Sequence, residues 1–439
     1  MESKDASTVT ISDEKDVATI TAETGAATQD GGTRAWLQVI GAAICFGNLW
    51  GMPFAYGMFQ SYYELEYLPA SSPSDISWIA TISVFLLICG GIASGPLFDW
   101  GYFKAMLITG AIIEIVAVFL LSLCTRYWQI LLTQGVLLGI GDALLYIPGL
   151  ALIGRSFKKR RQIALGLTTC GAPIGSIIYT FIFERLINRL GFAWTVRIMG
   201  FTMLASFSIA MPLLLWKARN IGDISAGSNT TRKMFDKAAL TDLPFWSFTT
   251  STLLIFTGYM MPFIYFASYG QAQLGMTQAD ALNVIVISQA TSIVGRLGSG
   301  LVASKTGIMI PWIACVTLSG VACIGWIDAE SPGAFTAVAA LYGCFSGALI
   351  PLPTAMFPVV CPDQRVLGAR LGMSQAFSSI GSLVGSPIAG ALVGVSSAAG
   401  HGYLGLQLFG GLILIAGALD VVLLWILLVR GRELKSRFI

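Results

Sequence analysis

The sequence predicts an all-α integral membrane protein of twelve transmembrane helices in two pseudo-symmetric six-helix bundles, and three observations lead there. Of the 439 residues, 55% are hydrophobic and only 11% charged, with a mean hydropathy of +0.75, against roughly 25% charged in soluble domains. Apolar stretches of about 20 to 27 residues recur, each long enough at ~1.5 Å per residue to cross a hydrocarbon core of about 30 Å. The longest internal polar stretch, 217–243, divides them six and six. Lipid offers the backbone no hydrogen-bond partners, so the spans must be helices, and the two-residue alternation of a membrane barrel is absent.

Residues 1–33 are rich in Thr, Ala, Ser, Asp and Glu and hold seven of the 23 acids before residue 31. They are expected to be a disordered cytosolic tail and not a signal peptide, which leaves targeting to the first span. That span is 35–59. Spans 76–98, 105–123, 128–153, 163–187 and 195–216 complete an N-terminal bundle over 34–216. The linker 217–243 carries five basic and three acidic residues. Spans 245–270, 281–303, 308–327, 334–357, 370–394 and 403–429 fill a C-terminal bundle over 244–430, and 431–439 forms a cytosolic tail.

Trp100, Trp128, Trp194, Trp216, Trp246, Trp312 and Trp326 fall near span ends, where amphipathic rings meet the headgroups. With both termini cytosolic, 21 of the 26 Lys and Arg lie in the termini or in loops after even-numbered spans. Arg126, Arg185, Arg189 and Arg197 are the exceptions, and Arg296 lies inside a span. The sequon Asn229-Thr230-Thr231 then sits on the cytosolic side and stays unglycosylated. The halves look repeated: a shift of about 205 brings Gly95–Asp99 onto Gly300–Ser304 and Pro148 onto Pro353, and one of 206 brings Ala164-Leu165-Gly166 near Leu371-Gly372.

Composition also excludes function classes. The formal charge of +3 is too small to imply a nucleic-acid partner. Eight scattered cysteines without a CxxC pair suit packing, and the single histidine, His401, leaves no metal cluster. No GxxxxGK[ST] loop is present, and no nucleophile, base and orienter grouping stands out, so neither an ATP-driven pump nor an enzyme is expected. No cofactor and no obligate protein partner is implied. The expected partners are a small-molecule substrate, the lipid bilayer and protons.

Several motifs carry a family resemblance. Asp30-Gly31-Gly32-Thr33-Arg34-Ala35-Trp36 opens span one, and Phe157-Lys158-Lys159-Arg160-Arg161-Gln162-Ile163-Ala164-Leu165-Gly166 opens span five. Gly139-x-Gly141 with Tyr146-x-Pro148 lies on span four, and Gly295-Arg296-Leu297 with Gly300 on span eight. Together these resemble the monocarboxylate-porter branch of the major facilitator superfamily, and Phe59-Gln60-x-Tyr62-Tyr63 resembles its fungal members. The resemblance implies a secondary carrier that binds substrate between two six-helix halves near the bilayer midplane. It also implies a cytosolic gate between spans two and three, here Gly95-Pro96-Leu97-Phe98-Asp99-Trp100-Gly101, working with Lys158, Arg160 and Arg161. The usual arginine after Asp99 is missing, and the second copy has Ser304 in place of Asp, so that half should latch more weakly. The bland reading of Lys158 to Arg161 is topology and contact with anionic lipid.

Arg296 is the most informative residue, because a guanidinium inside a span costs about 2.5 to 3.5 kcal/mol on insertion scales and must face a partner. The resemblance implies contact with a substrate carboxylate, for which a planar bidentate donor is suited. The alternative is a structural ion pair with Asp142, Glu114 or Asp420. Two positions depart from the family pattern: its coupling aspartate is Ser292 here, and its helix-one lysine is Phe54. Both changes point to a wider, more apolar site for a bulkier substrate, or to another proton carrier, for which Asp142 and Glu114 are candidates because desolvation favours the protonated carboxyl. Asp420 reads as peripheral.

Pro53, Pro148, Pro262, Pro351 and Pro353 fall in the four spans that line the cavity in the superfamily, where proline frees a carbonyl and kinks a helix. Near them Asn48, Tyr56, Tyr146, Tyr259, Tyr265 and Tyr342 offer polar tips, of which about half are expected to see the cavity. Gly166, Gly171, Gly175, Gly381, Gly385 and Gly390 read as close helix contacts. The leading expectation is export of a fungal secondary metabolite, an anion or weak acid, across the plasma membrane. Proton-linked uptake of a monocarboxylate or vitamin, and a non-transporting nutrient receptor, are the alternatives. The short tails disfavour a receptor, and the absence of repeated acidic or carbonyl-rich pore segments disfavours a channel.

Overall fold

The computed structural model describes residues 32–99, 101–157, 161–216, 236–362, 366–400 and 402–432, and every regular element among them is helical. The expected twelve spans all appear. α1 runs Thr33–Leu49 and Gly51–Tyr62 with a π-helical turn Tyr63–Tyr67; α2 runs Pro73–Cys89 and Gly91–Asp99; α3 is Phe103–Leu121. α4 joins Tyr127–Ile130, a π-helical stretch Leu131–Leu137 and Leu138–Ser156. α5 begins with Arg161–Thr169 and continues into Gly171–Leu215, where Gly191 at φ 72° ends it at 190 and starts α6 at 192. α7 runs Leu243–Tyr259 and Met261–Ala272, α8 Gln278–Thr306, and α9 Met309–Gly325. α10 joins Pro332–Ser346, a 3-10 turn Gly347–Leu349 and Pro351–Val360; α11 is Leu367–Ala398 and α12 Leu404–Arg432.

The prolines explain the breaks. A proline ring clashes with the carbonyl four residues back, and α1 is interrupted at Trp50 before Pro53, α7 at Met260 before Pro262, and α10 at the 3-10 turn before Pro351 and Pro353. Pro148 is accommodated inside α4 without a break. Gly191 is needed because its positive φ reverses the chain with no loop between α5 and α6.

Helices of each half meet backbone to backbone through glycine. In the first half Gly171 lies against Ala43 and Gly175 against Gly47; in the second Gly381 lies against Leu253 and Gly385 against Thr257, every member displaced by 210 residues. A methyl at any of these glycines would strike the facing main chain, which makes them close-contact sites as expected. Gly390 lets α11 approach the Ser74 main chain of α2 in the other half, again a close helix contact, whereas Gly166 faces open space and does not fit the expectation. The α2–α4 contact of Gly139 with Ser83 recurs in α8–α10 as Gly343 with Ser288, displaced by 204 and 205. The repeat is therefore real but has no single offset, and aligning Gly166 with Gly372 is corrected by these contacts. The five residues by which α1 and α7 outrun the α2 and α8 offset match the π-helical turn Tyr63–Tyr67, an insertion in the first half.

We call the face where α1 begins and α12 ends the terminal face, and its opposite the far face. α2 packs on α11, α5 on α8, and the far half of α1 on that of α7, so these six helices form the seam between the bundles. On the far side the seam is stitched shut: Ser74 donates to the Pro387 carbonyl at 2.8 Å, Gln271 to Ser61 at 2.6 Å, Asn188 to Gln278 at 2.9 Å, and the Tyr265 hydroxyl lies 3.2 Å from both the Pro73 and Ser386 carbonyls. Between described residues, hydrogen bonds across the seam lie at Arg296 or on its far side. Toward the terminal face a narrow pocket opens between the halves, lined by Trp50 and Tyr146 from the first and by Phe248, Thr252, Pro353 and Ser374 from the second.

The expectation for two of the tryptophans needs correction. Trp312 and Trp326 are at most 1% exposed and are core residues, packed on Phe248 and on Phe266, Tyr269 and Phe335, whereas Trp128, Trp194 and Trp216 are more than half exposed as an interfacial belt requires. Proximity to a span end in sequence did not reveal which side of the helix each ring occupies. The described end of the linker is held in place: Arg370 at the start of α11 holds Asp236 at 2.7 Å and Asp242 at 2.6 Å, on either side of the 3-10 helix Lys237–Thr241. Trp100 and Asn229 lie outside the described residues.

The glycine contacts generate a stability test. Gly175→Val should cost about 1–3 kcal/mol by overpacking, seen as a lowered midpoint in a thermal aggregation assay of the purified protein. Gly166→Val, which meets no neighbour, should leave the midpoint unchanged.

Candidate functional site

α8 brings the site's charge to the seam. Its N-terminus is capped by Thr277, whose hydroxyl accepts from the Asp280 amide, and its buried face carries Ser288, Gln289, Ser292, Arg296 and Ser299. Arg296 is 3% exposed, so its partners decide its role. Nε donates to Ser292 Oγ at 3.4 Å, and Nη1 donates to the carbonyl of Thr169 in α5 at 3.2 Å, crossing the seam. The guanidinium lies 5.6 Å from the Phe54 ring centroid, and the Tyr259 hydroxyl stands beside it. Nη2 closes no hydrogen bond.

Among the described residues no carboxylate reaches this guanidinium, so the alternative reading, an ion pair with Asp142, Glu114 or Asp420, is not what the structure shows. The reason is which way the helices turn their acids. Glu114 on α3 and Asp142 on α4 face the middle of the first bundle, where both are buried. Asp420 on α12 accepts from Ser247 at 3.2 Å on the far flank of α7, consistent with its peripheral reading. Arg296 thus balances its charge against a main-chain carbonyl, the Ser292 and Tyr259 hydroxyls and the Phe54 ring, which leaves it able to take an anion.

The two departures from the family pattern both find a place here. Ser292, where an aspartate was expected, accepts from Arg296, and Phe54, where a lysine was expected, puts its ring over the guanidinium. A quadrupole and a hydroxyl replace two ions of opposite sign, which keeps the net charge of the site at that of Arg296. From Phe54 an aromatic wall leads to the pocket: Trp50 stacks on Phe54 at 5.6 Å, and Tyr146 meets Trp50 edge-on at 6.1 Å. Tyr259 and Phe263 meet Phe54 from α7 at 6.0 and 5.7 Å, and Tyr342 donates to the Tyr259 carbonyl at 2.7 Å.

Of the residues expected to bind substrate, the fold therefore gathers Arg296, Phe54 and Tyr259 at the seam, places Tyr146 on the pocket, and sets Tyr342 of α10 behind them with its hydroxyl spent on the Tyr259 carbonyl. It turns Asn48 and Tyr56 away. Asn48 accepts from Tyr179 at 2.7 Å and donates to Ser206 at 2.8 Å, spending its amide inside the first bundle. Tyr56 donates to the Ile76 carbonyl at 2.8 Å in α2. Tyr265 serves the far-side closure. Trp50 was missed in the sequence; the signal for it was its spacing of four from Phe54, just before the proline break.

The polar middle of the first bundle draws on all six of its helices. Ser83 of α2 donates to Asp142 at 3.4 Å, Glu114 approaches Asp142 without closing a hydrogen bond, and the Asn48, Tyr179 and Ser206 network adjoins them. Gly141 lets the α4 backbone press on Glu114. Both acids are thus withdrawn from water at the centre of the first bundle, away from the seam. Of the expected gate, Lys158 and Arg160 lie outside the described residues, as do the side chains of Asp99 and Arg161.

Comparison with known proteins places this architecture. Residues 38–329 match the family model described as Major Facilitator Superfamily. The MFS-type transporter pynF of Aspergillus niger is 36% identical over 399 residues, covering 90% of this chain and 89% of that protein. The Aspyridones efflux protein apdF of Emericella nidulans is 33% identical, covering 88% of this chain and 77% of its own length. The Agnestins efflux protein AgnL12 of Paecilomyces divaricatus is 32% identical, covering 92% and 90%.

Asn48 separates packing from binding. Asn48→Ala strands the Tyr179 hydroxyl, while Ser206 keeps its bond to the Met203 carbonyl, and should cost about 1–3 kcal/mol of stability, measured as a lowered thermal midpoint, while transport per folded molecule in reconstituted vesicles stays within twofold of the native value.

Proposed function

Because this chain belongs to the major facilitator superfamily, with a match across two thirds of its length and relatives aligned over nine tenths of it, we propose that it is a secondary carrier that exports a fungal secondary metabolite, a small organic anion or weak acid. The observation that carries this reading is Arg296: a guanidinium at the seam between the bundles, bonded across it to a main-chain carbonyl, with no carboxylate partner among the described residues and one amino group unspent. An arriving anion offers that group a charge-assisted bond, stronger than the carbonyl contact it replaces. Loss of the Thr169 contact frees α8 from α5, and binding is thereby tied to separation of the halves. The relatives named as efflux proteins for aspyridones and agnestins support the direction and the class of cargo.

In this reading 34–216 and 244–430 are the two rocking units, 217–243 the cytosolic linker, and the terminal face looks into the cytosol of a cell whose plasma membrane holds the protein. The far-side stitches then describe a carrier closed to the outside, with its narrow pocket on the loading side. Affinity with the monocarboxylate-porter branch rests on Gly295-Arg296 and the motifs at spans one, four and five. The aromatic wall of Phe54, Trp50 and Tyr146 suits a larger and flatter acid than lactate. Glu114 and Asp142 favour coupling to protons, since a shared proton released on one side and taken up on the other links flux to a pH gradient. Proton-linked uptake is the second reading, and the same pair favours it.

Flux of extracted culture metabolites into inside-out vesicles decides between these. Arg296→Ala should reduce uptake at least tenfold with surface expression retained, and normal flux in that variant removes the anion-site assignment. With the vesicle lumen acidified relative to the bath, export by exchange predicts faster filling. Asp142→Asn should flatten that response; an undiminished pH response would place coupling elsewhere.

A further inference from the structure

α5 and α8 lie antiparallel along the seam, and two hydrogen bonds fix their register: Arg296 to the Thr169 carbonyl in the middle, and Asn188 to Gln278 near the far face. In that register Ser176 of α5 stands at the height of Gln289 of α8, and Thr180 stands one turn farther out. Gln289, Ser176 and Thr180 are at most 1% exposed, yet none of their side-chain polar atoms has a hydrogen-bond partner. Neither has Nη2 of Arg296. Hydroxyls in apolar helices ordinarily turn back to a carbonyl of the preceding turn, as Thr168 and Thr252 do in this protein. Ser176 and Thr180 do not, and an amide with both ends unpaired in a dry interior is costlier still.

These unspent groups form one strip. Gln289 and Arg296 are seven residues apart on a continuous helix, a rise of about 10 Å, and both belong to its buried face. Phe54 covers the guanidinium at one end of the strip, and Gly51 lets α1 approach Ser176 closely enough that a methyl there would press on the Ser176 amide. The chemistry at the two ends differs: a fixed positive charge at one, and at the other a neutral amide that donates and accepts together, flanked by two hydroxyls.

We propose that this strip is the specificity-determining part of the substrate site, and that the cargo is an elongated weak acid whose anionic oxygen meets Arg296 while a carboxamide, lactam or similar neutral donor–acceptor group about 10 Å away meets Gln289, with Ser176 and Thr180 completing its hydrogen bonds when the seam parts. The inference rests on the anion role proposed for Arg296 and adds the second anchor. It explains why a carrier would keep polar groups unpaired between two packed helices: an amide poised without a partner rejects cargo that cannot satisfy it, because such cargo leaves the group buried and unbonded.

Two probes test it, 4′-carbamoylbiphenyl-4-carboxylate and biphenyl-4-carboxylate, which share an acid and a flat body and differ only in the distal amide. Binding is measured by equilibrium dialysis on the full chain in lipid nanodiscs. The native protein should bind the carbamoyl probe about tenfold more tightly, the factor expected of one good buried hydrogen bond. Gln289→Leu should reduce that preference below threefold without weakening the plain acid, Ser176→Ala should reduce it partly, and Arg296→Gln should weaken both probes alike. Gln289→Glu, judged folded by gel filtration, stands in where Gln289→Leu does not fold and should also lose the preference. Equal affinity for the two probes in the native protein, binding of neither, or a preference that survives at residue 289 overturns the proposal. Loss of the preference at residue 289 with no effect of Arg296→Gln upholds the Gln289 anchor and instead removes the anion role of Arg296.

Discussion

The contact between Arg296 and the Thr169 carbonyl is the constraint around which the seam is arranged. A guanidinium this deep cannot be left alone, and no acid of the described residues is placed to neutralise it. What holds it is a set of weaker partners from three other helices: a carbonyl of α5, a ring of α1 and a hydroxyl of α7. Each belongs to an element that must shift when the halves move, so the charge is bound to the conformation. A carboxylate partner would have fixed the arginine in one bundle; a carbonyl from the other bundle makes its satisfaction depend on closure.

The two bundles can act as rigid units because their own helices pack at backbone contact. Gly171 and Gly175 in one half, and Gly381 and Gly385 in the other, bring main chains together where any side chain would intrude. Without a hydrophobic driving force between helices in lipid, such close packing supplies the cohesion. The seam has such contacts too, Gly57 on Phe263 and Gly390 on Ser74, and adds polar stitches on the far side, aromatic rings in the middle and a narrow pocket toward the terminal face. Between described residues, the hydrogen bonds across the seam lie at Arg296 or on its far side, a distribution that a rocking mechanism can use.

Polar residues divide in the same way. Asn48, Tyr56 and Tyr179 spend their hydrogen bonds inside the first bundle, and Ser292, Arg296 and Tyr259 meet at the seam. Asn48 and Tyr259 look alike in the sequence, since each is a polar group in an apolar span close to a helix break. The direction of each side chain around its helix separates structural from functional use. Trp312 and Trp326 repeat the point for the aromatic belt: near span ends in sequence, inside the core in space.

The sequence by itself determined the twelve spans, the proline breaks in α1, α7 and α10, and the exceptional status of Arg296, because each follows from local rules: apolar length against bilayer thickness, a missing amide, the expense of a buried charge. Only the tertiary structure decided what Arg296 touches, that Glu114 and Asp142 face each other and not the arginine, and that Gln289 and Ser176 stand unpaired across the seam. Those facts depend on how helices far apart in sequence rotate and slide against one another. Register and rotation are set by small-residue contacts such as Gly175 on Gly47, whose partners a single chain does not announce.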